Sequence, residues 1–365
     1  MDRIGVAVVG VAMLGLSVPA FPAVPDDVRA MSLRAKVGQL VMFSVHGHAL
    51  TTAERTAIER HHLGGVILFA KNYRSRSQLN ELTRQIQRAV RRGNAHAIGA
   101  LISVDQEGGV VKRFPDMPPR YSAPEMGEMN EASVATGQGR ATGRALRSAG
   151  VNVDLAPVAD LDLPPEHVMR ARSFGSGPAR VGRLATAFGR GLQSRNVAAA
   201  AKHFPGLGGA TINTDDGKAY VYRSKRQLRR VDARPFTRVV DGGIRMVMLS
   251  HAMYVHDGGR TPASVSRYIA TRRLRHEFGF TGVAISDALE PVAWRFGGSP
   301  SKACKATIRA GVDIALITGD VNAAAECARR IRNGVMRGEI PRRRVDRAVA
   351  RVLELKRWLG LYDPS

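Results

Sequence analysis

Lys202-His203-Phe204-Pro205-Gly206 closes a small-apolar run, Val197-Ala198-Ala199-Ala200-Ala201. A buried strand that ends in polar groups and then turns at Pro-Gly delivers side chains to a ligand. About eighty residues later a second run, Gly282-Val283-Ala284-Ile285-Ser286, ends on the carboxylate of Asp287. Other apolar runs end the same way. Asp105-Gln106-Glu107-Gly108-Gly109 follows one, Asp160 another, and His251 ends a third. Carboxylates, an ammonium group and imidazoles at five consecutive strand ends are too regular for incidental strand capping.

The elements that must position these groups alternate. Strand-like runs fall at 40–45, 65–70, 100–104, 151–157, 197–203, 246–251, 282–287 and 312–317. Helical patterns lie between them, at 52–62, 77–91, 132–148, 179–195, 227–242, 270–278, 301–310 and 322–337, with a closing helix at 343–359. Eight strand-then-helix units predict an α/β chain folded as a single-domain (β/α)8 barrel, whose parallel strands read as near-continuous apolar runs. In such a barrel the working residues sit at the C-terminal strand ends, where the ionisable groups are. A doubly wound sheet is the rival, but no glycine-rich dinucleotide fingerprint follows the first strand. The Pro- and Met-rich segment Arg113–Glu131 is expected to be a long loop over the barrel top.

Composition narrows the class further. A chain of 365 residues with 44% hydrophobic content folds into a sizeable core. Net charge is the outlier, at +24. It fits attraction to polyanions; it fits equally an arginine-favouring composition, since arginines scatter over many helices. No aromatic-interleaved basic motif, zinc-finger spacing or RNA-binding signature accompanies the charge, so nucleic acid is not an expected partner. Residues 1–23 read as an export signal: an apolar stretch from Ile4 to Val18, then small-residue cleavage sites. The stretch is short for a membrane span of ~20 residues. Cys304 and Cys327 could pair in an exported protein or stay free and buried.

In order along the chain, the motifs Gly64-Gly65-Val66-Ile67-Leu68-Phe69-Ala70, Val104–Gly109, Asn152-Val153-Asp154-Leu155-Ala156-Pro157-Val158, Arg172-Ser173-Phe174-Gly175, Lys202–Gly206 and Gly282–Asp287 resemble glycoside hydrolase family 3. The likeness is to its single-domain bacterial β-N-acetylhexosaminidase branch. It implies that residues 24–365 form the barrel domain, with Asp287 at the position of the catalytic nucleophile. It also implies that Asp105, Arg113, Arg172, Lys202 and His203 grip the terminal sugar. The physics agrees: hydroxyls need paired donors and acceptors, and the cations would help keep Asp287 ionised. The resemblance implies a retaining glycosidase acting on N-acetylglucosamine-containing cell-wall glycans, monomeric, with no metal or organic cofactor. It would be secreted or wall-associated, with anionic wall polymers as a further partner. The alternatives are a catalytically impaired sugar-binding protein and a β-glucosidase of the same family.

One loop departs from the pattern. In that branch the acid/base is a His on the loop after the fifth strand, within Lys-His-Phe-Pro-Gly-His-Gly and then Asp-x-His. Here the first His is Leu207, the orienting Asp is Asn213, and the catalytic His is Asp215. Asp215 is the expected acid/base if its surroundings raise its pKa from about 3.9. Asn213 would bond its carboxyl, and Asp216 is the alternative donor.

Overall fold

The computed structural model describes residues 24–94 and 96–364; the expected signal segment, 1–23, lies outside the described residues. Eight strands build the centre: Val41–Ser44, Gly65–Leu68, Leu101–Val104, Val153–Asp154, Ala198–Phe204, Met246–Leu249, Val283–Ser286 and Ala315–Ile317. All are parallel, and the first seven pair in sequence order. The first strand also pairs with the last, Val41 opposite Ala315. The ring nearly closes through a single bridge between Ile285 and Ile314, backed by the Ser286 N–H to the Ile314 carbonyl at 3.0 Å. This is the expected (β/α)8 barrel. Every residue of these strands is buried, because side chains fill the barrel inside and helices cover it outside.

The covering helices follow the expected order, and their ends are locally encoded. Thr51 and Glu54 form a reciprocal cap at the start of Thr52–His61. Ser75 caps Arg76–Arg92. Ala132–Ser148 and Pro178–Gln193 pack unusually closely. A Cβ on Gly139 would lie 2.1 Å from the Phe188 carbonyl, and one on Gly191 would lie 2.4 Å from that of Thr136. Only glycine allows backbones to approach so far.

Two stretches differ from the sequence expectation. Arg113–Glu131 is not simply a loop. It contains the helix Ala123–Met129, capped by Ser122 and Glu125, which buries Met126. The proposed helix at 227–242 is broken into a turn at Lys225–Gln227, a π-helical segment Leu228–Asp232, and Arg234–Asp241. Pro235 lacks an N–H and restarts the helix at its first turn.

The arginine excess is not all on the surface. Asp313, fully buried, takes Arg275 at 2.6 Å, Arg351 at 2.8 Å and Arg344 at 3.3 Å. That cluster ties the closing helix Arg342–Trp358 to the eighth strand's approach.

Cys304 and Cys327 are joined in a disulfide, with Cα atoms 5.7 Å apart. It links the helices Pro300–Ala310 and Val321–Met336 across 23 residues. Closing a loop of that size constrains the unfolded chain by about 3 kcal/mol. Reduction, or Cys304→Ser, is therefore expected to lower Tm by about 4 °C for a chain of this length. Thermal unfolding with and without reductant measures this.

Candidate active site

Lys202 and His203 are adjacent, yet both side chains line one cavity of ≈ 370 Å³ at the barrel's C-terminal face. In a regular strand, successive side chains point to opposite faces. Here the ladder shifts register between Ala201 and Phe204. The Lys202–His203 and Phe204–Pro205 peptide bonds are cis. Asp105, Arg113, Arg172, Asp215 and Asp287 line the same cavity, so all seven expected site residues meet there. Ile67, Phe69, Leu155, Met248 and Leu316 give it an apolar floor and wall. Larger clefts of ≈ 750 and ≈ 620 Å³ lie between outer helices, lined mainly by arginines and other polar groups, and hold no strand-end residue.

One side of the cavity is a buried ion network. Lys202 Nζ lies 2.6 Å from Asp105 Oδ1 and 2.6 Å from Glu107 Oε1. Arg172 grips Glu107 with two bonds, Nε to Oε2 at 2.9 Å and Nη2 to Oε1 at 2.7 Å. Burial pushes the Glu107 carboxyl up, but Lys202 and Arg172 outweigh it and hold it at about 2. Burial likewise works against the charge on Lys202, and Asp105 and Glu107 overcome it, raising its pKa. Asp154 sits beneath this network. Burial pushes its carboxyl up to about 8. It accepts the Gln106 N–H at 3.0 Å.

Glu107 was not among the expected site residues. Its signal was present: Glu107 stands two residues after Asp105 in the same strand-end motif. Glu107→Gln would leave two buried cations short of an anion, expected to cost about 3–5 kcal/mol. Denaturant titration measures the loss. In the native protein the Glu107 contribution is present above its ordinary value of 4.5 and fades as pH falls toward about 2.

The other side is built around Asp287 and His203. His203 Nδ1 pairs with Asp160 Oδ2 at 2.6 Å, and the His203 N–H donates to the same oxygen at 3.0 Å. Asp160 Oδ1 accepts the Leu207 N–H at 2.6 Å. Asp160 thus sets the ring and the start of the following loop together. His203 Nε2 then faces Asp287 Oδ2 at 4.0 Å. Burial raises the Asp287 pKa, but the rings of His251 and His203, the Ala288 N–H at 2.8 Å and Lys202 pull it below the ordinary carboxylate value. This corrects the expectation that Arg113, Arg172 and Lys202 together keep Asp287 ionised. Arg172 is taken up by Glu107, and the rings of His251 and His203 carry the larger part of the task. His251 Nδ1 is held by Ser264 Oγ at 2.7 Å, and its Nε2 meets the Ala288 carbonyl. Arg113 lies against the Phe69 ring, 5.8 Å from its centroid, and its Nε makes no hydrogen bond.

The divergent loop places Asn213, Thr214 and Asp215 on the cavity. Asp216 does not line it. Asn213 Oδ1 accepts the backbone N–H of Asp215 at 3.2 Å, not its carboxyl as expected. The Asp215 carboxyl still meets solvent, yet partial desolvation and the charge of Asp287 raise its pKa. Leu207, at the position of the branch's first His, is buried in the core.

A family model, the glycosyl hydrolase family 3 N terminal domain, matches residues 32–355. The chain belongs to glycoside hydrolase family 3. The hydrolase is 35% identical over 296 residues to a β-hexosaminidase of Nitrosomonas eutropha, covering 78% of this chain and 82% of that one. A β-N-acetylhexosaminidase structure from Beutenbergia cavernae superposes with a TM-score of 0.82 at 29% identity, over 89% of this chain and 98% of that one. A family 3 β-N-acetylglucosaminidase structure from Paenibacillus sp. superposes with a TM-score of 0.85 at 30% identity. It shares 91% of this chain, which spans only 63% of that longer protein. The hydrolase is thus a β-N-acetylhexosaminidase-like glycosidase on a barrel whose strand ends converge on one cavity.

Proposed function

We propose that this protein is a retaining β-N-acetylhexosaminidase that releases terminal sugars from cell-wall-derived glycans, with Asp287 as nucleophile and Asp215 as acid/base. The observation that carries this is the meeting of two carboxylates on one cavity, Asp287 at a strand end and Asp215 on the divergent loop, in surroundings that lower the first and raise the second. Neighbouring carboxyls pushed apart in this way divide into an ionised nucleophile and a protonated acid.

In the first half-reaction Asp287 attacks the anomeric carbon as its bond to the leaving oxygen breaks. Asp215 gives that oxygen its proton. In the second, Asp215 takes a proton from water, the water oxygen bonds to the anomeric carbon, and Asp287 leaves. Asp105, Lys202, Arg172, Arg113 and His203 would bind the sugar's polar groups. Here Lys202 and Arg172 are held in place by Glu107 before any sugar arrives, so the site is organised in advance.

The N-acetylhexosamine preference rests on the relatives' names. Export to the cell wall rests on the apolar segment at 4–18 and on the disulfide, which persists in oxidising compartments. The +24 charge fits retention among anionic wall polymers. A catalytically impaired sugar-binding protein is the second reading, favoured by the exposed, short Asp215 where the branch has His.

A panel of nitrophenyl β-N-acetylglucosaminide, β-glucoside and β-xyloside separates these. Preferential release from the first, with a β-configured initial product by NMR, supports the proposal. Glucoside preference would replace it with the β-glucosidase reading. Background turnover on all three, equal to that of Asp287→Asn, would leave only sugar binding.

A further inference from the structure

The loop that carries Asp215 leaves the fifth strand at Gly206 and returns at Arg223. Its stem is a short pairing. Ala210 bridges Val221, the Thr211 N–H donates to the Tyr220 carbonyl at 3.0 Å, and the Tyr220 N–H donates to Thr211 Oγ1 at 3.2 Å. The returning arm, Tyr220–Val221, is zipped to Met253–Tyr254 beyond the sixth strand. Asn213, Thr214 and Asp215 project from this stem over the cavity.

Where the two arms meet, the outgoing arm presses on Asp232 and the returning arm brings Arg223 to it. A Cβ on Gly206 would lie 2.6 Å from the Asp232 carbonyl oxygen. One on Gly209 would lie 3.0 Å from Asp232 Oδ1 and 2.9 Å from Arg223 Nε. Arg223 Nε stands 3.9 Å from Asp232 Oδ2. Asp232 is 1% exposed, and neither of its carboxylate oxygens accepts a hydrogen bond. A buried carboxylate in that state is costly unless a cation compensates it. Arg223 is the cation at hand. Burial lifts the Asp232 carboxyl to about 6 against the pull of Arg223, with Asp160 adding to the rise. The loop's other fastenings are already satisfied: Asp160 holds the Leu207 N–H, and the Tyr254 hydroxyl donates to the Gly206 carbonyl at 2.9 Å. Asp232 owes its place to the π-helical turn Leu228–Asp232 that interrupts the helix.

We propose that Arg223 and Asp232 are positioning residues that clasp the two arms of this loop and thereby hold Asp215 over the cavity. They act on proton donation and leave the nucleophile side untouched. The pair has slack at 3.9 Å, and an approach of about 1 Å would bring it to charge-assisted hydrogen-bond distance as the tip closes on a sugar. The inference rests on the reading of Asp215 as acid/base.

Asp232→Asn removes the charge with almost no change of shape, and Arg223→Gln removes the partner. Each is assayed on an alkyl β-N-acetylglucosaminide, which needs protonation, and on a nitrophenyl one, which scarcely does. The kcat on the alkyl substrate is expected to fall roughly 10- to 100-fold, against less than about threefold on the nitrophenyl substrate. The double variant should be no worse than the worse single one, because the two residues act as a unit. Arg223→Lys should recover most of the loss. No loss, or equal loss on both substrates, overturns the clasp. Should Asp232→Asn fail to fold, Arg223→Gln carries the test alone, since Arg223 is partly exposed. Asp215→Ala separates the two failures. If it too leaves alkyl turnover unchanged, the acid/base reading fails; if it alone impairs turnover, only the clasp does.

Discussion

Replacing Asp287 by asparagine is expected to lower kcat by on the order of 10⁴-fold or more, even on a nitrophenyl substrate. The carboxylate is the only protein group in the proposal that forms a bond to carbon, so no choice of leaving group bypasses it. Its surroundings are arranged for the ionised form. His251, His203, the Ala288 N–H and Lys202 together outweigh a burial that would otherwise keep it protonated. Asparagine fits the same space and can keep the place beside Ala288, so the fold should survive. Unchanged Tm together with lost turnover is therefore the expected pair of results. Substrate binding should persist, because the ion pairs among Lys202, Asp105, Glu107 and Arg172 do not include Asp287. Binding of N-acetylglucosamine by calorimetry checks that. Retained turnover in pure Asp287→Asn would remove Asp287 from the mechanism.

Asp215→Ala carries the second-largest effect. Loss of general acid help should reduce kcat by about 10²–10⁴-fold on a substrate with a poor leaving group and much less on a nitrophenyl one. A pH profile adds a signature. The active form has Asp287 ionised and Asp215 protonated. Asp287 lies below its ordinary value, so the acid limb appears only at low pH. Asp215 lies above its ordinary value, so kcat/KM falls as rising pH removes its proton. The profile should be a bell, its limbs reporting the coupled pair. In Asp215→Ala the alkaline limb should disappear. A limb that persists, or an alkyl substrate still cleaved at the native rate, would show that another group donates the proton.

The barrel was legible in the sequence because parallel strands buried on both faces leave unbroken apolar runs, and each run here ends where chemistry begins. The seven residues chosen from strand ends and motifs do meet in one cavity. Glu107 is hard to single out in the sequence because its neighbour Asp105 already accounts for that strand end. Its role depends on Lys202 and Arg172, which come from the fifth strand's end and a distant loop. The broken helix at 227–242 was unreadable for a similar reason. Its period is helical, and only packing against the Gly206–Gly209 arm shows why Asp232 is turned inward.

What the sequence determined alone is the order of the elements and the residue types at the barrel mouth, since both are local: apolar period, caps, and the polar residue that ends each run. What only the tertiary structure decided is charge state and pairing. Whether Asp215 is raised, Asp287 lowered and Cys304 bonded to Cys327 depends on atoms far apart in the chain. Coulomb and desolvation energies act on distance through space, and no spacing along the sequence reports it.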